Sequence, residues 1–254
     1  MAIVWQHHAG DHTYKITRAG QCVRLYRNGV LHSQWNPNAL LNGHLWELFI
    51  LTSMATQTPP QRVCVLGTGG GSVIKLLQHF FPGVHIDAVE LDEVHLFAAK
   101  KFFQLNNCQL YHADAYQWQN QNKYKQYDLI IDDVFTELSQ VPHRALTMNQ
   151  SWLKKLLSML TAHGQLVINF ADASEWRHAR HAIKQDKSFQ RYQFAQGQHH
   201  RCDNRVIMLA RHDLSAMNIK HQLRNAKQTK MLNYLQRGIF SYRRIGIDYL
   251  EEHS

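Results

Sequence analysis

The pattern of hydrophobic and polar positions changes character near residue 60. Before residue 35, apolar and polar positions alternate in short segments separated by glycine-containing turns, one of them Asn28-Gly29. Alternation indicates half-buried strands, and Asn-Gly between two strands is typical of a tight hairpin turn. We therefore predict a β-rich N-terminal piece. A helix is predicted over 38–54, and Pro59-Pro60 separates it from the remainder of the chain.

Beyond residue 61, short apolar runs alternate with segments of helical periodicity, which predicts repeated strand–helix units. The predicted strands are 63–66, 84–90, 108–112, 128–132 and 165–169, and the predicted helices are 72–80, 92–103, 150–160 and 174–185. The runs RYQFA and RVIMLA flank a polar loop and predict an antiparallel hairpin at the sheet edge. We therefore predict an α/β fold with a doubly wound, mostly parallel seven-stranded sheet, the methyltransferase-type variant of the Rossmann-like fold.

One predicted strand–helix junction carries a glycine turn. The sequence VCVLGTGGGSVIKLL places Gly67, Gly69 and Gly71 between strand and helix. Glycine permits a sharp turn and a close approach to a ligand, and a helix N-terminus offers unpaired N–H groups. The next predicted strand ends at Glu90, 19 residues after Gly71. A carboxylate there can accept hydrogen bonds from both ribose hydroxyls, so the spacing predicts a nucleoside site.

Acidic residues end three consecutive predicted strands, at Glu90, Asp114 and Asp133. Ligands of open α/β sheets bind beyond the carboxyl ends of the strands. We predict that Asp114, followed by Ala115, contacts an adenine amino group, and that Asp133 acts at the reacting centre. A helix cap or a turn is the alternative role for each acid. Asp132 is expected to support the strand end, because neighbouring strand residues face opposite sides.

Composition adds limits on compartment and partners. The four cysteines are scattered and the N-terminus shows no signal peptide, so we expect free thiols and a cytoplasmic protein. The group His199, His200 and Cys202 lacks a second ligand pair, so no metal is expected. The net charge of +9 favours a polyanion partner such as nucleic acid. A basic surface without a specific partner is the plainer interpretation.

These patterns divide the chain into three predicted parts. Residues 1–60 form the β-rich N-terminal piece with its helix, 61–212 the nucleoside-binding methyltransferase-like domain, and 213–254 a basic, partly helical extension. From Lys220 to Arg244 the extension has seven Lys or Arg residues and no Asp or Glu. Either a packed tail or an interaction helix fits this pattern. We favour packing, because charge runs are usually solvated faces.

The pattern from Tyr14 to Arg211 resembles the spermidine synthase family on the S-adenosylmethionine-dependent methyltransferase fold. The segment YDLIIDDVFTELSQVPHRALT is similar to the family segment that runs from the catalytic aspartate to a Pro-His/Arg-x-Leu-Thr end. The resemblance implies a transferase with a small-molecule acceptor, and the β-rich piece offers strands for a homodimer. It also implies that Asp133 takes the place of the catalytic aspartate and that the cofactor, S-adenosylmethionine or its decarboxylated form, is bound by Gly67, Gly69, Gly71, Glu90, Asp114 and Ala115.

Three positions depart from the family pattern. Gly70 stands where aminopropyltransferases carry an aspartate that holds the cofactor amine, Thr136 replaces a second carboxylate, and Leu45 stands at the place of a tyrosine. A buried polyamine needs carboxylates in place of water, and losing one charged partner costs roughly 1.5–3 kcal/mol. These departures favour intact S-adenosylmethionine and methyl transfer to an unidentified acceptor.

Two alternatives stay open. In the first, the protein transfers aminopropyl groups from decarboxylated S-adenosylmethionine to putrescine or another amine in a rearranged acidic pocket, with Glu137 and Asp132 as substitute carboxylates. In the second, the protein is a non-catalytic nucleoside- or nucleic-acid-binding protein on the same scaffold. The basic segment from Lys220 to Arg244 motivates this second alternative.

Overall fold

The computed structural model describes residues 1–55, 58–138 and 141–248, without the side chains of 137, 138, 141 and 142. The first part of the chain forms a four-stranded antiparallel sheet in sequential order. Its strands are β1 (Ala2–Ala9), β2 (His12–Ala19), β3 (Cys22–Arg27) and β4 (Val30–Trp35). Asn28 and Gly29 join β3 to β4 with φ angles of 49° and 85°, which confirms the predicted hairpin turn.

The rest of the described chain alternates helices and strands. The strands are β5 (Arg62–Leu66), β6 (His85–Glu90), β7 (Gln109–His112), β8 (Tyr127–Asp132), β9 (Phe135–Leu138), β10 (Val141–Arg144), β11 (Leu160–Phe170), β12 (Gln193–His199), β13 (Arg205–Ala210) and β14 (Phe240–Ile245). The helices are α1 (Leu45–Ser53), α2 (Ser72–Phe80), α3 (Glu93–Lys101), α4 (Ala115–Gln121), α5 (Gln150–Ser158), α6 (Ala173–Lys184), α7 (Ala216–Asn225) and α8 (Thr229–Gln236).

Eight of these strands form one mixed sheet in the order β14-β12-β13-β11-β8-β5-β6-β7. Five neighbouring strands of this sheet are parallel, namely β11, β8, β5, β6 and β7. Beyond β11, the strands β13, β12 and β14 continue the sheet with antiparallel pairs. The α/β class and the methyltransferase-type order are therefore as predicted. The prediction of seven strands was wrong, because β14 pairs with β12 and makes an eighth. The β12–β13 hairpin is consequently not at the edge.

Helices cover both faces of this sheet. Val63 and Val65 of β5 point into a core with α1, α2, α7 and α8, whereas Cys64 and Leu66 point into a core with α4, α5 and α6. This alternation follows from the two-residue period of a strand. The N-terminal sheet packs on α3 through a third cluster, in which Ile16, Val23 and Leu25 lie with Ala98 of α3 and with Phe103 just beyond it.

The first helix is shorter than predicted for a local reason. The Glu47 carboxylate accepts hydrogen bonds from the backbone N–H groups of Asn42, Gly43 and His44 at 2.5, 3.0 and 3.2 Å. A glutamate at the third position that reaches back to the chain before the helix fixes its start. The segment before Leu45 is therefore held as a loop, with Gly43 at a φ of 74°.

The segment predicted as an extension is packed into the fold. Ile219 and Leu223 of α7 and Met231 of α8 are buried in the core on one face of the sheet. Phe240 of β14 packs its ring against Tyr234 at 5.3 Å between centroids. The division into three parts stays a prediction, and the apolar face of the basic segment belongs to the core. Among the described residues, no helix combines the length and the apolar character that a membrane span requires.

Truncating the tail's buried face is expected to destabilise the whole fold. Leu223 is fully buried, so Leu223→Ala should lower the free energy of unfolding by about 2–5 kcal/mol. The neighbouring Arg224→Ala is the matched control, because Arg224 is exposed and surface changes stay within about 0.5 kcal/mol. Chemical denaturation of both variants measures the difference, and equal stabilities would show that the tail does not belong to the core.

Candidate active site

A cavity of about 780 Å³ opens at the carboxyl ends of β5, β6, β7 and β8. Its floor is the glycine turn with the acids that follow these strands, and its walls come from β4, the start of α1 and the β9–β10 hairpin. The volume lies within the range of roughly 300–1,000 Å³ that is usual for small-molecule sites. The sequence predicted the floor but, apart from Leu45 and Thr136, not the walls, which come from segments distant along the chain.

The glycine turn is clamped by the N-terminal sheet. Gly67, Gly69 and Gly71 have φ angles of 84°, 54° and 91°, which favour glycine. The hydroxyl of Ser72 accepts a hydrogen bond from the Gln34 N–H at 2.8 Å and donates one to the Gln34 carbonyl at 2.9 Å. The glycines therefore serve the packing of the turn, and Gly67 and Gly69 also line the cavity.

Gly70 faces the protein and not the cavity. Its N–H donates to Ser33 Oγ at 2.7 Å. A Cβ at this position would lie 2.8 Å from both the Ser33 Cβ and the Phe103 Cε2. A side chain at position 70 would thus point at β4 and the end of α3. The missing aspartate is therefore weak support for methyl transfer, because this backbone leaves no room for the aspartate.

Glu90 is nearly buried at the end of β6 and holds the turn in place. Its carboxylate accepts the N–H groups of Gly69 at 2.7 Å and of Asp92 at 3.0 Å. Burial alone would raise its pKa, but His95 and these two N–H groups outweigh burial and hold the pKa below its usual value. Glu90 lines the cavity as an ionised acceptor, as a ribose-binding carboxylate requires.

Asp92 connects the site to the N-terminal sheet. Its Oδ1 caps α3, and its Oδ2 accepts hydrogen bonds from Tyr14 Oη at 2.6 Å and Arg27 Nη1 at 3.2 Å. Burial would raise the pKa of Asp92, but His95 and the two donors from the sheet lower it overall. Sequence reasoning missed Tyr14 and Arg27, because these contacts join residues more than sixty positions apart.

Asp114 and Ala115 lie together at the start of α4, beside the cavity. Asp114 caps this helix by accepting the Gln117 N–H at 2.9 Å through Oδ1. The alternative capping role is therefore present, and it uses one carboxylate oxygen. The seven-residue helix α4 was not predicted, because its sequence AYQWQNQ has little apolar periodicity.

Asp133 follows β8 and lines the cavity. Its Oδ1 accepts a hydrogen bond from Asn169 Nδ2 at 2.8 Å, and Asn169 Oδ1 in turn accepts one from Asn204 at 3.1 Å. Burial raises the pKa of Asp133 to about 7, although Asn169 and Arg144 partly oppose this effect. A carboxyl group with this pKa can both accept and hold a proton near neutral pH.

Asp132 points away from the cavity into the core, as predicted. Its carboxylate accepts two hydrogen bonds from Arg144 Nη2 at 2.8 and 2.9 Å and one from Trp152 Nε1 at 2.9 Å. Asp132 and Arg144 are both buried. Asp132 is therefore not free to act as a substitute carboxylate for an acceptor. The side chain of Glu137, the other predicted substitute, lies outside the described residues.

The wall beyond Asp133 is aromatic, aliphatic and imidazole-rich. Leu45 and Trp46 come from the start of α1, and Phe135 and Thr136 from β9. The ring of His44 lies 5.8 Å from that of Trp46. Burial, together with Arg24 and His199, lowers the pKa of His44. The sequence placed Leu45 and Thr136 in the site by resemblance alone and missed the other wall residues.

His199 and His200, which the sequence places near Cys202, contact other parts of the chain. His199 Nε2 lies 2.5 Å from the carbonyl oxygen of Gly43, and its ring stacks on that of His200 at 5.3 Å. Within the described ranges, no group of three or more His, Cys, Asp or Glu side chains is arranged to hold a metal ion.

Known proteins that are similar to this chain were compared by sequence and by structure. No family model matches the chain. A polyamine aminopropyltransferase of Vibrio vulnificus is 29% identical over 130 residues, which are 49% of this chain and 42% of that relative. The match therefore spans less than half of the relative's length.

Solved structures extend the comparison to the whole chain. A probable spermidine synthase from Corynebacterium glutamicum superposes with a TM-score of 0.71 at 15% identity, covering 100% of this chain and 98% of that one. Human methyltransferase-like protein 13, solved in complex with SAH, gives 0.61 at 20% identity over 72% of this chain and 90% of that one. These likenesses show the fold, which is the methyltransferase-type α/β fold.

Within that fold, the chain is similar to a polyamine aminopropyltransferase and to a probable spermidine synthase, both transferases. The comparisons support the aminopropyl alternative better than methyl transfer, which the sequence analysis favoured and no comparison confirms. The roles of the individual site residues stay predictions.

A methyl group at position 70 is expected to destabilise the turn. In Gly70→Ala the new Cβ meets Ser33 and Phe103, so the free energy of unfolding should fall by about 1–3 kcal/mol. Gly246→Ala is the control, because a Cβ there meets nothing within 4 Å. Thermal denaturation compares the two. A Gly70→Ala variant as stable as the wild type would show that the turn has room for a side chain.

Stability should depend on pH through Asp133. Between its ordinary pKa of 3.8 and its raised pKa of about 7, the unfolded chain releases a proton that the folded protein keeps. Stability therefore falls as pH rises through this window. Asp133→Asn removes the effect and can still accept the Asn169 hydrogen bond, so its melting temperature should exceed that of the wild type by more at pH 8 than at pH 4.

The exposed turn variant Asp11→Asn controls for the loss of one negative charge. Melting-temperature differences for Asp133→Asn that are equal at the two pH values would contradict a raised pKa.

Proposed function

We propose that the protein transfers an aminopropyl group from the sulfonium of decarboxylated S-adenosylmethionine to an amine acceptor. The observation that carries this proposal is the Asp133 carboxyl, which lines the same cavity as Glu90 and Asp114, the acids proposed to bind the nucleoside. The similarity to a polyamine aminopropyltransferase and the full-length superposition on a probable spermidine synthase support the same reaction.

The residues of the cavity floor fit a nucleoside. Glu90 is an ionised acceptor suited to a ribose diol, and its position is fixed by Gly69 and Asp92. Asp114 has one oxygen engaged in capping α4 and a second that can accept from an adenine amino group. The Ala115 N–H lies in the unpaired first turn of the same helix, where it can donate to the adenine ring.

The reaction needs a neutral amine held in line with an electrophilic carbon. The sulfonium supplies that carbon and a neutral thioether leaving group. Asp133 accepts a hydrogen bond from the amine, orients its lone pair and takes the proton that is lost as the N–C bond forms and the C–S bond breaks. Asn169 holds the carboxyl in position, and Asn204 holds Asn169.

Methyl transfer from intact S-adenosylmethionine is the second candidate. The SAH bound to human methyltransferase-like protein 13, which shares the fold, favours it. Thr136, where a second carboxylate is expected, favours it as well. Binding of nucleic acid by the basic tail and formation of a homodimer stay predictions.

Product analysis separates the two reactions. With decarboxylated S-adenosylmethionine and a panel of primary amines, we expect release of methylthioadenosine. With intact S-adenosylmethionine, we expect S-adenosylhomocysteine only at background level. Removing the general base in Asp133→Asn should lower kcat/KM by about 10²–10⁴, whereas Asp11→Asn should not change it. The reverse product pattern would establish methyl transfer. If neither product is formed, both reactions are refuted.

A further inference from the structure

We propose that the acceptor is a monoamine with an apolar body, and that the site discriminates against diamines. This inference rests on the proposed aminopropyl transfer and names its substrate class. The observation behind it is that Asp133 shares the cavity with mostly uncharged side chains, which are Leu45, Trp46, Phe135, Thr136, His44 and His143, with Asn169 and Asn204 beside the carboxyl itself. We call this part of the cavity the acceptor space.

The other acids near the cavity are already engaged. Glu90 accepts two backbone N–H groups on the nucleoside side, and Asp92 accepts Tyr14 and Arg27 from the N-terminal sheet. Asp114 caps α4 through one oxygen, and the proposed function assigns its other oxygen to the adenine amino group. Asp132 is enclosed by Arg144 and Trp152 in the core. Among the described side chains, Asp133 is therefore the one carboxylate that faces the acceptor space, which is sufficient for one nitrogen.

The space beyond Asp133 suits an apolar group better than a second ammonium. Leu45, Trp46 and Phe135 line it, and burial of apolar area against such side chains stabilises a complex in proportion to that area. An ammonium there could contact an aromatic ring. However, a buried cation without an anionic partner loses more from dehydration than a cation–π contact returns.

The surroundings of His44 also oppose a second cation in the acceptor space. Burial, followed by the charges of Arg24 and His199, lowers the pKa of His44, which lines the cavity. A cation placed beside His44 would be opposed by the same burial and by the charge of Arg24. An uncharged end of the acceptor meets neither cost.

Thr136 is the position that sets this preference. It lies opposite His143 in the pairing of β9 with β10, and both residues line the cavity. A carboxylate at position 136 would face the acceptor space and supply the partner that a distal ammonium needs. The threonine hydroxyl provides no such charge.

Matched pairs of acceptors test the inference. Butylamine and 1,4-diaminobutane differ only in the second ammonium, and phenethylamine adds an aromatic body. We expect kcat/KM for methylthioadenosine release to be roughly tenfold or more higher with each monoamine than with the diamine, the size of effect expected from one unpartnered charge. A preference of the wild type for 1,4-diaminobutane would overturn the inference.

Thr136→Asp should reverse the preference by roughly tenfold or more toward the diamine. Thr136→Asn, which has similar bulk and no charge, should keep the monoamine preference. If both variants behave alike, the charge at position 136 does not set specificity. If the wild type prefers the diamine and Glu137→Gln loses that preference, the inference is overturned, because Glu137 is then the partner of the second ammonium.

Calorimetry of amine binding in the presence of methylthioadenosine separates this inference from the reaction. Tighter binding of butylamine than of 1,4-diaminobutane supports the acceptor class. If no turnover accompanies this binding, the proposed reaction alone is refuted. Tighter binding of the diamine would refute the acceptor class alone.

Discussion

The site depends on how the fold accommodates two adjacent carboxylates at the end of one buried strand. Asp132 and Asp133 point to opposite sides at the end of β8. Asp132 points into the core, and Asp133 points into the cavity. Arg144 and Trp152 satisfy Asp132 completely inside the core. Removing one partner of such a buried pair usually costs about 3–5 kcal/mol, because the other charge is left uncompensated. With Asp132 fixed in this way, Asp133 is left to face the cavity.

Arg144 also links the β9–β10 wall of the cavity to the core. It lies at the end of β10, and its guanidinium donates to the Asn169 carbonyl at 2.7 Å as well as to Asp132. The β9–β10 hairpin that carries Phe135 and Thr136 is thereby attached to the strand that carries Asn169. One buried cation thus holds together the hairpin, Asp132 beside the proposed general base Asp133, and Asn169, which donates to Asp133.

The sequence was sufficient where the signal is local. The glycine turn, the parallel strands and the acids that end them were predictable, because each depends on a strand, a turn and a helix that are consecutive along the chain. The sequence could not predict that a side chain at position 70 would point into the protein. That direction depends on Ser33 and Phe103, which lie elsewhere in the sequence. The clamp from β4, the contacts to Asp92 and the strand β14 were missed for the same reason.

The position of β14 at the end of the sheet has a consequence for assembly. An edge strand presents unpaired backbone groups to any other strand, and exposed charged side chains oppose such pairing. Arg243 and Arg244 are exposed on β14, and the opposite edge, β7, has only four residues. Both ends of the large sheet therefore carry features that oppose edge-to-edge pairing between copies of this chain.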